Sequence, residues 1–215
     1  MINKKYILFD LDGTISDSNE GITKGVQMTL THFGINIEDR TALLPYIGPP
    51  IRETLSTRFG LTSGQIDEAM QIYGAYYAEK GLYENELYEG VPEMLRELKR
   101  RGKVIALATS KAAVFAQRIL EHFGIDDCFS CVSGGELTGY GTKKSDVIRR
   151  ALDGCGAVNL NEAVIIGDRK YDILGAKEVG ISSVGVLYGF GDYEELHSAG
   201  ADCIAENVSD LLDIL

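Results

Sequence analysis

The stretch YILFDLDGTISDS, residues 6–18, places two carboxylates two positions apart directly after four large apolar side chains. Such an uninterrupted apolar run is typical of a strand that is buried on both faces of a parallel sheet. One acid at a strand end is an ordinary turn former. Asp10 and Asp12 on either side of a leucine, followed by Gly13 and Thr14, instead indicate a site.

The composition is that of a soluble globular protein and narrows the range of partners. The 215 residues are 45% hydrophobic and 25% charged, which argues against disorder. The formal net charge of −11 disfavours binding to nucleic acid or to an anionic membrane surface. The first apolar run is too short for a signal peptide or a membrane span, which predicts a cytoplasmic protein. The sequence does not indicate an oligomeric state.

Apolar strand patterns alternate with amphipathic helical patterns along most of the chain. This alternation predicts an α/β fold, a three-layer α/β/α domain with a Rossmann-like parallel sheet. The predicted strands are residues 5–10, 104–110, 128–133, 163–168, 183–188 and 202–205. The predicted helices are residues 91–102, 112–124, 144–156 and 172–180.

One interval, from about Ser18 to about Glu89, contains no strand pattern. Helical patterns fill it at residues 20–34, 50–60 and 63–81. An all-α insertion directly after the first strand predicts a second, smaller domain that is tethered at both ends. We therefore predict a core of residues 1–17 and 84–215 and a helical domain of residues 18–83.

Polar residues recur where the predicted strands end. Ligands of an open parallel sheet bind beyond the carboxyl ends of its strands, so we expect these side chains to converge. They are Asp10 and Asp12 after the first strand, Thr109, Ser110 and Lys111 after the second, Asp168 and Asp172 at the fourth, and Lys143 and Lys144 before the fourth.

The residue types at this edge indicate phosphoryl transfer. Carboxylates without histidine or cysteine suit a hard divalent cation, most simply Mg²⁺. One carboxylate can attack a phosphate ester and form an acyl phosphate, while a neighbour that is crowded by like charge serves as general acid and base. Thr109 and a lysine can hold the transferring group. From the residues alone, both Lys143 and Lys144 stay open for that role.

Four segments together resemble the motifs of the haloacid dehalogenase superfamily. They are DLDGT at residues 10–14, the apolar strand that ends in Thr109, the lysine at position 144, and IGDRKYD at residues 166–172. The resemblance implies a catalytic set of Asp10 (nucleophile), Asp12 (acid and base), Thr109 and Lys144 (phosphate binding). It implies a Mg²⁺ set of Asp10, Asp12 (also through its backbone carbonyl), Asp168 and Asp172.

The helical insertion resembles the family's cap of the first type. Its most distinctive segment is PYIGPPIRETL at residues 45–55, a stiff loop that runs into a helix and presents Gly48 and Arg52. Tyrosines at positions 73, 76 and 77 have helical spacing, which favours packing inside the cap over stacking on a nucleobase. The predicted substrate-binding residues are Gly13, Thr14, Ser110, Lys111, Gly48 and Arg52.

The implied function is Mg²⁺-dependent hydrolysis of a small phosphorylated metabolite. Segments such as YIGPP and GLYENELYEGV resemble a 5′-nucleotidase-like branch near the phosphoglycolate phosphatases. A 5′-nucleotide, phosphoglycolate and a β-phosphoglucomutase-like reaction on a sugar phosphate therefore stay open. Asp12 disfavours dehalogenase chemistry, which needs no proton for a leaving oxygen. The helical insertion disfavours a phosphorylatable receiver, and the intact acids disfavour a catalytically silent module.

Overall fold

The computed structural model describes residues 3–137 and 142–215. Over these ranges the chain forms two sheets, and the larger one is parallel throughout. The strands are β1 (Tyr6–Phe9), β2 (Ser16–Asp17), β3 (Glu86–Leu87), β4 (Val104–Ala112), β5 (Cys131–Gly135), β6 (Ala163–Gly167), β7 (Ser182–Val186) and β8 (Cys203–Ala205).

Helices flank the sheet and fill the insertion. None of the described helices is long and apolar enough to cross a bilayer. The helices are α1 (Asn19–His32), α2 (Ile51–Phe59), α3 (Ser63–Glu79), α4 (Val91–Arg100), α5 (Ala113–Phe123), α6 (Lys144–Gly154), α7 (Lys170–Val179), α8 (Tyr193–Ala199) and α9 (Asp210–Ile214).

The larger sheet has the order β5-β4-β1-β6-β7-β8, so β1 is an interior strand between β4 and β6. The side chains of β1 alternate between two cores: Tyr6 and Leu8 pack with α6 and α7, while Ile7 and Phe9 pack with α4 and α5. Burial on both faces explains the uninterrupted apolar run. The predicted three-layer α/β fold is confirmed.

The insertion packs as a helical unit next to the sheet edge. Helix α3 packs on both α1 and α2, and a 3-10 segment, Arg40–Tyr46, joins α1 to the loop before α2. The prediction that no strand lies between Ser18 and Glu89 is wrong, because this interval contains β3. Strand β3 pairs antiparallel with β2, and the two strands lie where the chain enters and leaves the insertion. A two-residue strand is too short to show an alternating pattern.

Several strand bounds also differ from the prediction, and those of β5 and β4 are described here. Residues 126–128 form a 3-10 turn, so β5 begins at Cys131, where it pairs with Ala106, and not at position 128. Strand β4 extends to Ala112 through an irregularity after Ala108. The irregular stretch contains Thr109, Ser110 and Lys111, so the chain bends where the predicted phosphate-binding residues lie.

Candidate active site

Three carboxylates and one lysine meet at the carboxyl ends of β1 and β6. Asp10 follows β1, and its backbone N–H donates to the carbonyl of Ile166 on β6 (2.9 Å). The Lys144 Nζ lies 2.9 Å from Asp10 Oδ1 and 2.6 Å from Asp172 Oδ1. One oxygen of Asp10, one of Asp168 and one of Asp172 lie within 4.8 Å of one another. All four side chains are buried.

Burial and like charge govern the titration of this cluster. Burial, followed by the negative charges of Asp172 and Asp10, raises the pKa of Asp168 well above its ordinary value. Burial also raises the pKa of Asp172, against the opposing effect of Lys144. Burial lowers the pKa of Lys144, but the charges of Asp10 and Asp172 outweigh it, so that the pKa lies above its ordinary value.

The donor set fits a hard divalent cation. The Lys144 ammonium pairs with Asp10 and Asp172, and the carboxyl group of Asp168 lies beside them, so the buried site has more acidic groups than cations to balance them. Oxygen donors without nitrogen or sulfur are those that Mg²⁺ takes. Asp10, Asp168 and Asp172 are the side chains placed to hold it.

Two loops hold Asp168 in place. Its Oδ2 accepts from the backbone N–H of Phe190 (2.8 Å), and its Oδ1 accepts from Thr14 Oγ1 (3.4 Å). Gly13 has a φ of 82°, and a Cβ at this position would collide with the Asp168 carboxylate, so only glycine fits. Gly13 and Thr14 therefore contact a carboxylate, and neither lines the two cavities that open at this edge. Their predicted substrate contacts stay a prediction.

Asp12 lies apart from this cluster and faces the helical insertion. Its Oδ1 is 2.9 Å from Lys111 Nζ. The same ammonium donates to the hydroxyl of Tyr77 on α3 and lies 4.6 Å from the centre of that ring. Tyr77 stacks on Tyr73 with ring centres 5.3 Å apart. A chain of contacts therefore runs from Asp12 into the insertion. The predicted metal contact of the Asp12 backbone carbonyl stays a prediction.

Thr109 lies at the bend in β4 and is buried. Its Oγ1 accepts from the backbone N–H of Lys111 (3.2 Å), which leaves its hydroxyl hydrogen available to another acceptor. Lys144 is the lysine that reaches the carboxylates, whereas Lys143 directly precedes α6 and is more exposed. The convergence that was expected from the strand ends is therefore present for Asp10, Asp168, Asp172 and Lys144.

A cavity of about 960 Å³ opens between the core and the insertion and reaches Asp12. Ser110, Lys111, Gly48 and Arg52 line it, and their predicted substrate contacts stay a prediction. Arg52 Nη1 forms an ion pair with Asp67 (2.8 Å). Much of the remaining wall is apolar or aromatic: Ile22, Tyr46, Ile47, Ile51, Met70, Tyr73, Tyr77, Val114 and Phe115.

A family model of haloacid dehalogenase-like hydrolases matches residues 7–186. The chain belongs to this family. A 5′-nucleotidase from Pseudomonas aeruginosa is 42% identical over 89% of this chain and 86% of its own length. A phosphoglycolate phosphatase from Vibrio parahaemolyticus is 30% identical over 98% of this chain and 96% of its own length.

Solved structures agree with the family assignment. The crystal structure of a predicted phosphatase from Clostridium acetobutylicum superposes with a TM-score of 0.93 at 40% identity. The match covers 98% of this chain and 97% of that chain. The protein is therefore an enzyme, a phosphatase of the haloacid dehalogenase type, and its substrates are small phosphorylated molecules.

Several residues at the site carry no sequence signal that we recognised. Phe190 contributes through its backbone, so its side chain gives no hint of the contact with Asp168. Arg169 lies inside the recognised IGDRKYD segment, yet its partners are far away in sequence. Tyr73 and Tyr77 are buried, in agreement with the predicted packing role, but they also line the cavity.

Proposed function

We propose that the protein is a Mg²⁺-dependent phosphomonoester hydrolase that forms an aspartyl phosphate on Asp10 and acts on 5′-nucleotides. The observation that carries the proposal is the ion-paired cluster in which Lys144 bridges Asp10 and Asp172 beside Asp168. We place the catalytic core at residues 1–17 and 84–215 and the cap at residues 18–83.

Asp10 is the nucleophile in this proposal. Its backbone is fixed by β6 and its carboxylate by Lys144, so the attacking oxygen loses little freedom when a substrate binds. Asp10, Asp168 and Asp172 would hold the cation, with the backbone carbonyl of Asp12. When bound, Mg²⁺ supplies positive charge that lets an anionic phosphate approach the carboxylates.

Hydrolysis proceeds in two steps that share Asp12. First, a carboxylate oxygen of Asp10 attacks phosphorus, the bond from phosphorus to the leaving oxygen breaks, and Asp12 protonates that oxygen. Second, Asp12 takes a proton from water, whose oxygen attacks phosphorus and breaks its bond to Asp10. Inorganic phosphate leaves, and both carboxyl groups return to their initial states. Lys111, 2.9 Å from Asp12, stabilises the ionised form between the steps.

Two groups are placed to stabilise the transferring phosphoryl group. The free hydroxyl hydrogen of Thr109 and the protonated ammonium of Lys144 can both donate to its equatorial oxygens. Phosphoryl transfer depends mainly on such positioning and charge stabilisation.

The large cavity supports a 5′-nucleotide as substrate. Its wall of tyrosine, phenylalanine and aliphatic side chains suits the planar base of a nucleoside leaving group. Glycolate is small and anionic and would leave most of this volume unfilled. The similarity to a 5′-nucleotidase at 42% identity points the same way.

A phosphate-release screen tests the proposal. Purified protein is assayed with 5′-nucleotides, phosphoglycolate and sugar phosphates, each with Mg²⁺ and with EDTA. We expect Mg²⁺-dependent release with kcat/KM at least about tenfold higher for a 5′-nucleotide than for phosphoglycolate. A preference for phosphoglycolate would overturn the substrate assignment. Isomerised sugar phosphate without phosphate release would indicate a mutase, and a stable acyl phosphate without turnover would indicate a phosphorylation switch.

A further inference from the structure

Arg169 is a buried arginine that connects the core with the cap. It directly follows Asp168, and its residue is 7% exposed. Its Nη1 donates to the carbonyls of Ile47 (2.5 Å) and Pro45 (3.3 Å) in the cap. Its Nε donates to Glu195 Oε1 (2.9 Å) on α8 of the core. One guanidinium group is therefore held by a core carboxylate and in turn holds two cap carbonyls.

The carbonyls that Arg169 binds belong to the loop that shapes the substrate cavity. Gly48, Pro49 and Pro50 directly follow Ile47 and line the cavity of about 960 Å³. They also line a second cavity of about 730 Å³ that reaches Lys144. The loop is thus a wall between two spaces at the catalytic edge. Its position determines the shape of both.

The loop and the arginine lie in close contact. Gly48 has a φ of 109°, and a Cβ at this position would lie 3.2 Å from Arg169 Cγ. A larger residue would be strained and would push the loop away from the arginine. The aliphatic part of Arg169 therefore sets how near the loop approaches the core, and its guanidinium fixes the loop there.

We propose that Arg169 is a positioning residue for substrate selection: it holds the Pro45–Pro50 loop against the core and so fixes the wall of the cavity that receives the leaving group. This inference rests on the proposed function for its substrate, although the contact itself does not depend on activity. Arginine suits the task because its planar fork can pair with a carboxylate and donate to carbonyls at the same time. Lysine has a single ammonium and cannot reproduce that geometry.

The chain offers a matched control in Arg118, a second core arginine that binds the cap. Its Nη2 donates to the carbonyl of Ala78 (2.9 Å) and to the hydroxyl of Tyr83 (3.0 Å). These contacts lie near the return of the chain to the core. Arg118 lines neither cavity. Replacing it removes a core-to-cap arginine without releasing the Pro45–Pro50 loop.

The experiment compares Arg169→Met, Arg169→Lys, Glu195→Gln and Arg118→Met with the unchanged protein. KM and kcat are measured with a 5′-nucleotide and with acetyl phosphate, which lacks the nucleoside part that the cavity would receive. Hydrogen exchange of backbone amides in residues 44–55 is followed without substrate. Exchange requires no turnover, so it tests the contact even if the proposed function fails.

We expect Arg169→Met to raise KM for the nucleotide about tenfold, with a smaller change in kcat and little change in KM for acetyl phosphate. Amides of residues 44–55 should exchange faster. For Arg169→Lys and Glu195→Gln, nucleotide KM and the exchange rates should lie between those of Arg169→Met and those of the unchanged protein. These two variants test the inference if Arg169→Met does not fold. Arg118→Met should leave nucleotide KM and exchange in this segment unchanged.

Unchanged exchange and unchanged nucleotide KM in Arg169→Met would overturn the inference. A fall in kcat of equal size for both substrates, without faster exchange, would also overturn it, because Arg169 would then act on the carboxylate cluster. If no nucleotide is hydrolysed but exchange rises in Arg169→Met and not in Arg118→Met, the proposed substrate is wrong and the loop contact stands.

Discussion

The core half and the cap half of the active site are formed by different kinds of residues. The core half consists of buried charges in which Lys144 pairs with Asp10 and Asp172. The cap half consists of tyrosines, aliphatic side chains and a proline-rich loop. The sheet fixes the charged residues at its strand ends, whereas a few contacts between core and cap, such as those of Arg169 and Lys111, hold the cap side of the cavity. We therefore expect chemistry and selection to be separable, with the reaction determined by the core residues and the choice of substrate by the cap residues.

Replacing the nucleophile should give the largest effect in the core half. Asp10→Asn retains the shape of the side chain but lacks the attacking carboxylate, so we expect kcat to fall by at least about 10³-fold. Phosphate release with excess substrate measures this loss. Asp127→Asn, which removes an exposed carboxylate paired with Lys99, is the control and should retain full activity. If Asp10→Asn were as active as Asp127→Asn, Asp10 would not be the nucleophile.

Lys144→Met should reduce both activity and stability. The substitution leaves the buried carboxylates of Asp10 and Asp172 without their cation, and we expect the metal-free protein to lose about 3 kcal/mol of unfolding free energy. Activity should fall by about 10²-fold or more because a transition-state contact is lost. Urea unfolding and phosphate release measure the two effects. The neighbouring lysine provides the control, and a similar loss in Lys143→Met would contradict the assignment.

Without metal, repulsion among the buried carboxylates should make the free energy of unfolding depend on pH. The pKa of Asp168 is raised in the folded protein, so the folded state binds more protons than the unfolded state above about pH 4. Its contribution to the free energy of unfolding therefore falls as pH rises. Relative to Asp168→Asn, the metal-free protein should therefore lose unfolding free energy between about pH 5 and about pH 7.5.

Urea unfolding at the two pH values, with and without Mg²⁺, measures this difference. Saturating Mg²⁺ should abolish it, because a bound cation favours the ionised carboxylates. A difference that persists with Mg²⁺ would mean that these carboxylates do not hold the metal.

A change in the cap half should give the smallest effect and act on selection. Tyr77→Phe retains the ring that stacks on Tyr73 but removes the hydroxyl that accepts from Lys111. We expect KM for a 5′-nucleotide to rise about threefold and kcat to change less, because the lost hydrogen bond joins the cap to Lys111 and involves neither the Asp10–Asp168–Asp172 cluster nor Lys144. Tyr76→Phe is the control, since the Tyr76 hydroxyl bonds Glu84 instead. A tenfold loss of kcat in Tyr77→Phe would show that the two halves are not separable.

The core half could be predicted from the sequence because the sheet imposes it. An apolar run buried on both faces marks a parallel strand, and the carboxyl ends of such strands meet at one edge. Asp10, Thr109 and Asp168 follow directly from this rule. Lys144 follows from the start of the helix that precedes β6.

The cap half could not be predicted in the same way, because its contacts join residues that no periodic pattern relates. Arg169 meets Pro45 and Ile47 across separations of 124 and 122 residues. Helical spacing places Tyr73 and Tyr77 on one face of α3, but it does not show that this face also borders a cavity. The β2–β3 ribbon is too short to show an alternating pattern.

Chemical trapping of the phosphorylated enzyme tests the central claim most directly. Asp12→Asn is mixed with Mg²⁺ and acetyl phosphate, whose leaving carboxylate needs no proton, so that only hydrolysis of the intermediate is blocked. It is then reduced with borohydride, digested with trypsin and sequenced by mass spectrometry across residues 6–24. We predict substrate-dependent conversion of Asp10 to homoserine, with the side chain at position 12 unmodified and no conversion in Asp10→Asn. Modification of a carboxylate other than Asp10 would contradict this prediction. So would the absence of any modified carboxylate, if Asp10→Asn still hydrolysed substrate.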